Sequence, residues 1–214
     1  MPKATAVSCS NIALVKYWGN ADQVLRLPAN PSLSMNLAEL TSTTSVAWDP
    51  ALNADRIWLD GVLAEHAARR RVVAHLDRVR RLAGHATRAM VVSQNNFPSG
   101  AGLASSASGF AALTLAATVA AGLDLDEPSL SALARLGSGS ACRSIPAGFV
   151  AWRPAARHQD SYGVSIAPPE HWDLADVVAI VAAQHKEVGS TSGHALADTS
   201  PLQAARVSST AERF

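Results

Sequence analysis

This sequence lacks the features that are typical of several classes of protein. Only two cysteines, Cys9 and Cys142, occur among the 214 residues; their wide separation resembles no metal motif and favours a reduced, cytoplasmic setting. No hydrophobic run approaches the length of a transmembrane helix, and the first residues lack the apolar core of a signal peptide, so no membrane partner is expected. The net charge of +1 indicates no particular macromolecular partner.

Common catalytic and nucleotide-binding motifs are missing as well. The sequence has no G-x-S-x-G motif and no convincing Ser-His-Asp arrangement. The Walker A spacing is absent, because no lysine follows the glycines of the segment 95–109. A Rossmann fingerprint would need glycine where Ser105 stands, and an acidic residue about twenty positions further on in a strand. A nucleotide bound by this chain is therefore held by another kind of phosphate loop.

The segment 95–109, NNFPSGAGLASSASG, is the most informative stretch that is present. It precedes an alanine-rich helix predicted over Ala111–Ala121, and the start of a helix offers unpaired N–H groups and partial positive charge to an anion. Gly100 and Gly102 let the backbone approach a phosphate closely. Hydroxyl donors or a magnesium ligand are available from Ser105, Ser106 and Ser108. The prediction is an ATP phosphate site; a glycine-bearing turn before a capped helix is the alternative.

Hydrophobic periodicity predicts an α+β fold rather than a doubly wound parallel sheet, because strands and helices alternate irregularly. Strands are predicted over Thr5–Trp18, Ser42–Trp48, Asp55–Leu59, Met90–Ser93, Ala147–Trp152 and Asp176–Ala183. Helices are predicted over Leu63–Leu82, over Ala111–Ala121, from Asp126 to Gly137, and over Ser200–Phe214. The segment Arg153–Pro169 is polar and contains proline, which is typical of a boundary or an exposed turn.

The helix predicted over Leu63–Leu82 has an arginine-rich polar face. Its six arginines are Arg69, Arg70, Arg71, Arg78, Arg80 and Arg81. Such a stripe suits nucleic acid, but no aromatic residues interleave with it, and a solvated helix face explains it as well. No nucleic-acid partner is therefore predicted.

Three polar clusters lie in otherwise apolar or small-residue surroundings. Lys16 interrupts an apolar strand, which suggests an edge position, a snorkelling side chain or an anionic partner. Asn11 reaches the same face only if the strand has a bulge or a break near Asn11. Arg143 follows a Gly/Ser loop, where it is suited to hold a carboxylate or phosphate, although a surface arginine at a helix end is the alternative. The third cluster, Lys186–Gly193, again suits an anion.

Taken together, these segments resemble the mevalonate diphosphate decarboxylase family of the GHMP small-molecule kinase superfamily. The matching segments are Asn11–Gly19, Leu27–Ser34, Asp55–Leu59, Asn95–Ser108, Gly137–Ser144, Gly148–Val150, Gly189–Thr191 and Thr199–Leu202. The motifs KYWG and GSGSACRS separate this branch from the sibling galactose, homoserine and mevalonate kinases. The resemblance implies a GHMP-kinase-like N-terminal domain over residues 1–170, a mixed sheet with helices packed on one side. Residues 171–214 would begin a truncated C-terminal α+β domain.

The resemblance also implies an activity: ATP- and magnesium-dependent decarboxylation of a 5-phosphorylated mevalonate to an isopentenyl phosphate or diphosphate. The implied catalytic residues are Lys16, Arg143 and Asn11, with Arg143 clamping the substrate carboxylate. The implied substrate-binding residues are Tyr17, Ser138, Ser140, Arg143 and Ser190. The ATP loop would comprise Pro98, Ser99, Gly100, Gly102, Leu103, Ser105 and Ser106, with Ser106 as the magnesium ligand. A phosphorylated mevalonate is the expected small-molecule partner, and a homodimer is possible.

Two departures from the family pattern matter. The family motif often continues as KYWGK, and its last lysine helps to bind the diphosphate, whereas this chain has Asn20; mevalonate 5-phosphate is therefore the expected preferred substrate. Family members also run on for about another hundred residues, which carry the catalytic aspartate. None of the eleven aspartates here falls in its motif, so this form is expected to be weakly active or inactive. A kinase that stops at the 3-phosphate and a non-catalytic binding module remain alternatives.

Overall fold

A seven-stranded mixed sheet organises the fold, in a computed structural model that describes residues 2–100, 102–179 and 190–214, without the side chains of residues 190–192. The strands are β1 (Lys3–Val15), β2 (Asn20–Asp22), β3 (Leu27–Pro28), β4 (Ser32–Asp49), β5 (Arg56–Leu59), β6 (Val62–Leu63), β7 (Arg88–Asn95), β8 (Phe149–Trp152) and β9 (Gly163–Ala167). The helices are α1 (His66–Ala83), α2 (Ser105–Ala120), α3 (Glu127–Gly137), α4 (Ser190–Leu196) and α5 (Gln203–Arg213).

The long strand β4 is the centre of the sheet. It pairs with β1 along one edge, while its other edge is shared by β8 near the start and β7 near the end. All of these pairs are antiparallel, whereas β5 and β7 run parallel, so the sheet is mixed. The strands β2 and β3 form a separate two-stranded hairpin. The β1–β4 register shifts after Cys9 and again between Ala13 and Val15. Such irregularity in the strand is what the sequence analysis required for Asn11 and Lys16 to reach the same face.

Three helices cover one face of this sheet. Val46, Trp48 and Val91 of the sheet are buried in one cluster with Leu76 of α1 and Leu113 of α2, and α3 contributes to the same cluster. Alanine-rich α2 approaches the sheet closely because its side chains are small, and Trp48 Nε1 donates to a carbonyl of α2 at 3.2 Å. The expected α+β architecture with helices on one side is confirmed.

Several element boundaries differ from the sequence-based predictions. The strand predicted over Ser42–Trp48 is the second half of β4, and α2 begins at Ser105, six residues before the predicted alanine run. The segment Arg153–Pro169 was expected to be a boundary or turn, yet it contains the edge strand β9. Residues 176–179 of the last predicted strand are not in a strand, and residues 180–183 lie outside the described part of the chain.

The arginine face of α1 is also less uniform than expected. Arg80 is 4% exposed, forms an ion pair with Asp55 and stacks over Trp48 at 5.2 Å. It is therefore part of the core, contrary to the interpretation of a fully solvated stripe. Arg71 is partly buried and stacks over Phe110 at 5.0 Å. None of the described helices is long and apolar enough to cross a membrane.

Helices α4 and α5 pack against the turn that follows β1. His194 of α4 accepts the Gly19 N–H at Nδ1 (2.9 Å) and stacks on Tyr17 with 4.2 Å between ring centroids. Arg206 of α5 donates to Trp18 O and to the side chain of Asn30. The last described segment is thus held beside the residues that the sequence assigned to substrate binding.

Candidate functional site

One guanidinium organises the buried end of the candidate site. Arg143 lies in the 3₁₀ helix Gly139–Ser144 and is 3% exposed. Its Nη1 donates to Ser32 Oγ (2.7 Å), its Nε to Ser34 Oγ (3.1 Å) and its Nη2 to Asn11 Oδ1 (3.3 Å). Because Ser32 and Ser34 are two apart in β4, both face the same side of the sheet. The arginine is therefore a fixed, buried group, and the alternative of a surface arginine is wrong.

Asn11 links this guanidinium to the helix that carries it. Its Nδ2 donates to Ser144 Oγ (2.7 Å) and to Ser140 O (3.2 Å), while its Oδ1 accepts from Arg143. The amide thus has a single possible orientation in the network. The family resemblance implied that Asn11 and Arg143 belong to one site, and the structure brings them into direct contact.

The charge of Arg143 has no carboxylate partner among the described residues. Burial lowers its pKa, and only Cys142 and Tyr17 oppose that effect. Its described hydrogen-bond partners are neutral, and a buried cation with neutral partners has lost hydration that hydroxyl and amide oxygens replace only in part. An anion placed against the guanidinium would stabilise this arrangement.

Lys16 follows the end of β1, beside the same cation. The sequence had suggested that Lys16 lies inside a strand, but it lies just after β1 and is exposed. Its carbonyl accepts from Asn30 Nδ2 (2.9 Å). Partial burial lowers the pKa of Lys16, and the charge of Arg143 lowers it further, while Asp176 opposes the shift. Two cations close enough to affect each other's ionisation form a positive end to the site.

Tyr17 is buried directly after Lys16, with its ring packed against Trp152 at 4.7 Å between ring centroids. Its hydroxyl donates to Asn20 Oδ1, and Asn20 Nδ2 in turn donates to Gln23 Oε1 (2.8 Å). A Cβ at Gly139 would lie 2.5 Å from this hydroxyl, so only glycine fits there. Burial raises the pKa of Tyr17 to about 12, which keeps it a neutral donor at physiological pH.

The glycine loop has the backbone of an anion-binding turn. Gly100, Gly102 and Ala104 have φ values of +75°, +89° and +54°, and residue 101 is outside the described chain. Helix α2 then begins at Ser105 with no side-chain cap and no acidic residue in its first turn. These features leave the positive end of the helix macrodipole available to an anion.

Hydrogen bonds on two sides hold this loop in place. Ser10 Oγ of β1 donates to Leu103 O (2.5 Å). On the other side, Ser99 Oγ donates to Asp60 Oδ2 (2.6 Å), and Asp60 Oδ1 accepts the N–H of Asn95 (2.8 Å). Asp60 itself has a φ of +49° in the β5–β6 hairpin. Ser99 was predicted to bind ATP; its hydroxyl is engaged with Asp60 and so helps to hold the loop in place.

A cavity of about 180 Å³ opens beside the loop, between β7, α1 and α2. Its lining includes Asp60, Arg71, Ser93, Ser105, Ser106 and Phe110. Ser106 faces both regions of the site, because its hydroxyl lies 3.1 Å from the hydroxyl of Ser138, just before the 3₁₀ helix. The glycine loop and the Arg143 network are therefore adjacent parts of one site.

The chain matches a known protein family over most of this region. A family model described as the diphosphomevalonate decarboxylase-like N-terminal domain matches residues 8–163. The chain belongs to this family. The match spans the Asn11, Arg143 and glycine-loop segments, so the network described above lies entirely within the family domain.

Named relatives agree with this membership. The chain is 42% identical over 211 residues to diphosphomevalonate decarboxylase of Eremothecium gossypii, covering 89% of this chain and 52% of that protein. Its fold matches mevalonate diphosphate decarboxylase from Staphylococcus aureus with a TM-score of 0.87 at 33% identity, over 99% of this chain and 64% of the other. It also matches "MDDEF in complex with MVAPP, AMPPCP and Magnesium" with a TM-score of 0.85 at 34% identity, over 98% of this chain and 65% of the other.

The chain is also shorter than these relatives. The chain spans about half the length of the curated relatives it matches, for example 52% of the Eremothecium gossypii protein. The family match therefore covers this domain, residues 8–163.

Sequence reasoning about this decarboxylase-like domain missed several residues. Ser32 and Ser34 were part of a matching motif but had no assigned role, although their i, i+2 spacing in a strand places both on one face. Asp60 was seen only as a turn residue. His194 gave no signal, because its contacts with Gly19 and Tyr17 join positions far apart in sequence.

Other predicted residues are only partly placed by the structure. Ser108 is buried and bonds Ser42 Oγ (2.7 Å), so it supports α2 on the sheet and does not face an anion, contrary to prediction. The backbone of Ser190 lies in α4, but its side chain is not described. Lys186–Gly189 of the third polar cluster lie outside the described residues.

Proposed function

We propose that the natural-length protein catalyses the ATP- and Mg²⁺-dependent decarboxylation of a 5-phosphorylated mevalonate. The products are an isopentenyl phosphate or diphosphate, ADP, phosphate and CO₂. The observation that carries this proposal is the buried Arg143 guanidinium, which has neutral partners among the described residues and lies next to a glycine loop at a helix start. The names of the relatives and the MVAPP and AMPPCP complex of a structural neighbour support it.

In this proposal Arg143 binds the substrate carboxylate with its remaining N–H groups, and Asn11 keeps the guanidinium oriented. Lys16, beside the Arg143 cation, stabilises the negative charge on the phosphate that leaves C3. Tyr17, Ser138, Ser140 and Ser190 bind the phosphate end. The chemistry is mainly the positioning and electrostatic stabilisation typical of phosphoryl transfer.

ATP occupies the glycine-loop side of the site. The backbone from Pro98 to Leu103 surrounds its phosphates, with Gly100 and Gly102 permitting close approach. The Ser105 and Ser106 hydroxyls complete the set, and Ser106 is the proposed ligand of Mg²⁺, which would offset phosphate charge when bound. We further propose that residues 1–170 form the nucleotide- and substrate-binding unit and that residues 171–214 begin a second one.

Release of CO₂ tests the proposed function. We expect carboxyl-labelled phosphorylated mevalonate to yield labelled CO₂ and ADP in equal amounts with natural-length protein and Mg-ATP, and no CO₂ when ATP is omitted. ADP without CO₂ would identify a kinase that stops at the 3-phosphate. Neither product would contradict the enzymatic proposal and favour a binding module.

Ser106→Ala tests the nucleotide site separately. We expect Mg-ATP affinity to fall roughly 10- to 100-fold, because a hydroxyl that contacts charged phosphate or metal is lost. Titration of the protein with a fluorescent ATP analogue measures this. Ser108→Ala is the matched control, since that hydroxyl bonds Ser42 inside the fold; an equal loss in both variants would contradict the assignment.

The number of substrate phosphates is a further prediction. Position 20 is a neutral asparagine whose amide is already bonded to Tyr17 and Gln23. We therefore expect a higher kcat/KM for mevalonate 5-phosphate than for the 5-diphosphate, and we expect Asn20→Lys to move that ratio toward the diphosphate by about tenfold. A clear preference of the unmodified protein for the diphosphate would refute this prediction.

A further inference from the structure

The turn 16–19, which joins β1 to β2, is held by side chains from distant parts of the chain. Lys16 O accepts from Asn30 Nδ2 (2.9 Å), and Asn30 Oδ1 accepts from Arg206 Nη2 (2.9 Å). Arg206 Nη2 also donates to Trp18 O, and Asn30 is 1% exposed. The backbone of the turn is therefore placed by α5 as well as by the strands that it connects.

His194 of α4 contacts three consecutive residues of the same turn. Its Nδ1 accepts the Gly19 N–H (2.9 Å). Its ring lies 4.2 Å from the ring of Tyr17 and 4.7 Å from the ring of Trp18, measured between centroids. A Cβ on Gly193 would lie 2.7 Å from Trp18 Cη2, so a side chain at that position would displace the indole. The imidazole is thus packed and hydrogen-bonded at one place on the turn.

The hydrogen bond to Gly19 requires a neutral imidazole with its proton on Nε2, because a protonated Nδ1 cannot accept. Burial of His194 lowers its pKa to about 4, with further contributions from the charges of Arg26, Arg143 and Arg206. The acceptor is therefore present at physiological pH. Gly19 is buried, so without this acceptor its N–H would lose a hydrogen bond unless the turn moved toward water.

Resting on the proposed function, we propose that His194 is a positioning residue that fixes the turn 16–19, so that Lys16 and Tyr17 meet the substrate. Lys16 is assigned to the leaving phosphate and Tyr17 to the phosphate end, and both side chains project from this turn. The same contact holds α4, which begins at Ser190, beside Tyr17. A displacement of about 1 Å at a reacting group is sufficient to lower a rate by up to about 100-fold.

His194→Phe and His194→Asn separate the hydrogen bond from ring packing. His194→Phe keeps a ring against Tyr17 but has no acceptor, whereas His194→Asn places an oxygen, Oδ1, where Nδ1 stands. We expect amide hydrogen exchange at Gly19, followed by NMR, to become about tenfold faster or more in His194→Phe. In His194→Asn the Gly19 amide should remain protected.

Kinetics of the natural-length protein test the positioning role directly. His194→Phe should lower kcat about 10- to 100-fold and raise KM for mevalonate 5-phosphate, whereas His194→Asn should retain most of kcat. KM for ATP should be unchanged in both variants, because the glycine loop is held separately by Ser10 and Asp60. Val79→Ala, in the core face of α1, is the stability control: it should lower the melting temperature and leave kcat unchanged.

Several outcomes would overturn the proposal. The role is wrong if kcat and KM of His194→Phe match those of the unmodified protein, or if His194→Asn is impaired as strongly as His194→Phe. It is also wrong if Val79→Ala lowers kcat as much as His194→Phe, since the effect would then follow stability alone. Rapid exchange of the Gly19 amide in the unmodified protein would contradict the contact itself.

Failure of this proposal is distinguishable from failure of the proposed function. If CO₂ is released normally by His194→Phe, the positioning role is wrong and the activity stands. If the unmodified protein releases no CO₂, the activity is wrong, and calorimetric affinity for mevalonate 5-phosphate decides the role of His194. A loss of affinity in His194→Phe that His194→Asn restores would uphold that role, and equal affinity in all three would overturn it. If the unmodified protein does not bind mevalonate 5-phosphate, both proposals are wrong.

Discussion

Arg143→Gln is expected to weaken binding of phosphorylated mevalonate by about 100-fold or more and to lower kcat/KM of the natural-length protein by at least about 1,000-fold. Glutamine removes the charge that meets the carboxylate, and it is too short to bond Ser32, Ser34 and Asn11 together. Those three polar groups are all buried, so the variant should also lose about 1–3 kcal/mol of stability.

Arg143→Lys distinguishes charge from geometry at this position. Lysine keeps a positive charge but cannot reproduce the planar fork that bonds Ser32, Ser34 and Asn11 at once. We expect it to recover part of the binding and little of kcat, as measured by calorimetry and by CO₂ release. Arg70→Gln provides an exposed control that should alter neither quantity. If Arg143→Lys were fully active, the guanidinium network would be unnecessary for function.

Asn11 supports the same hydrogen-bond network. Because its amide bonds both Arg143 and the 3₁₀ helix that carries it, losing this residue would let the guanidinium rotate without removing its charge. This difference in mechanism explains why the arginine, and not its neighbour, is expected to have the largest effect in the site. A site of this kind depends on a rigid surrounding shell more than on the number of charges it holds.

The parts of the fold that the sequence predicted are those with local causes. Helix α3 begins where expected because Asp126 accepts the Ser129 N–H (3.0 Å) and Pro128 suits a first turn. The Asp60–Gly61 turn likewise joins β5 to β6 as a hairpin. Such signals lie within a few residues of the structure they specify, so one sequence is sufficient to recognise them.

Elements that depend on distant partners were missed. The first half of β4 contains Ser32 and Ser34, which lack the β-branched pattern of a buried strand, and their burial makes sense only with Arg143 bonded to both. The edge strand β9 is five residues long and largely exposed, so it has no hydrophobic alternation to detect. Pairing with β8, more than local propensity, makes it a strand.

The candidate site shows the same division. The glycine loop was predicted from the residue types within one segment, whereas the contact between Asn11 and Arg143 joins positions 132 apart. No local pattern predicts that contact; only the resemblance did.

Acidification from pH 7 to pH 5 is expected to destabilise the folded chain by about 2 kcal/mol through His75 alone. His75 of α1 is fully buried, and burial, followed by the charge of Arg78, lowers its pKa to about 3 from 6.5. Since the unfolded state binds the proton first, stability falls as pH drops below about 6.5 and continues to fall until about pH 3. The slope approaches 1.4 kcal/mol per pH unit.

The hydrogen bonds around His75 explain why protonation is so unfavourable. Thr114 Oγ1 donates its only hydrogen to Phe110 O (2.6 Å), so it must accept from His75 Nε2–H at 2.8 Å. That assigns the proton to Nε2 and leaves Nδ1 as a buried nitrogen with no partner. A second proton would create a buried charge and an unsatisfied N–H between α1 and α2, close to the proposed nucleotide cavity.

Urea unfolding at pH 7, 6 and 5 measures this effect. His194 contributes in the same direction, because burial lowers its pKa to about 4 and its Nδ1 must stay unprotonated to accept the Gly19 N–H. His75→Gln keeps a donor for Thr114 and should remove about half of the pH dependence, whereas His66→Gln, at an exposed position, should change nothing. If His75→Gln left the slope intact, the acid sensitivity would have to come from His194 or from carboxylates. The pH range over which the free energy of unfolding falls separates these two sources, because loss of stability through carboxylates occurs near their own pKa values of about 4 and below.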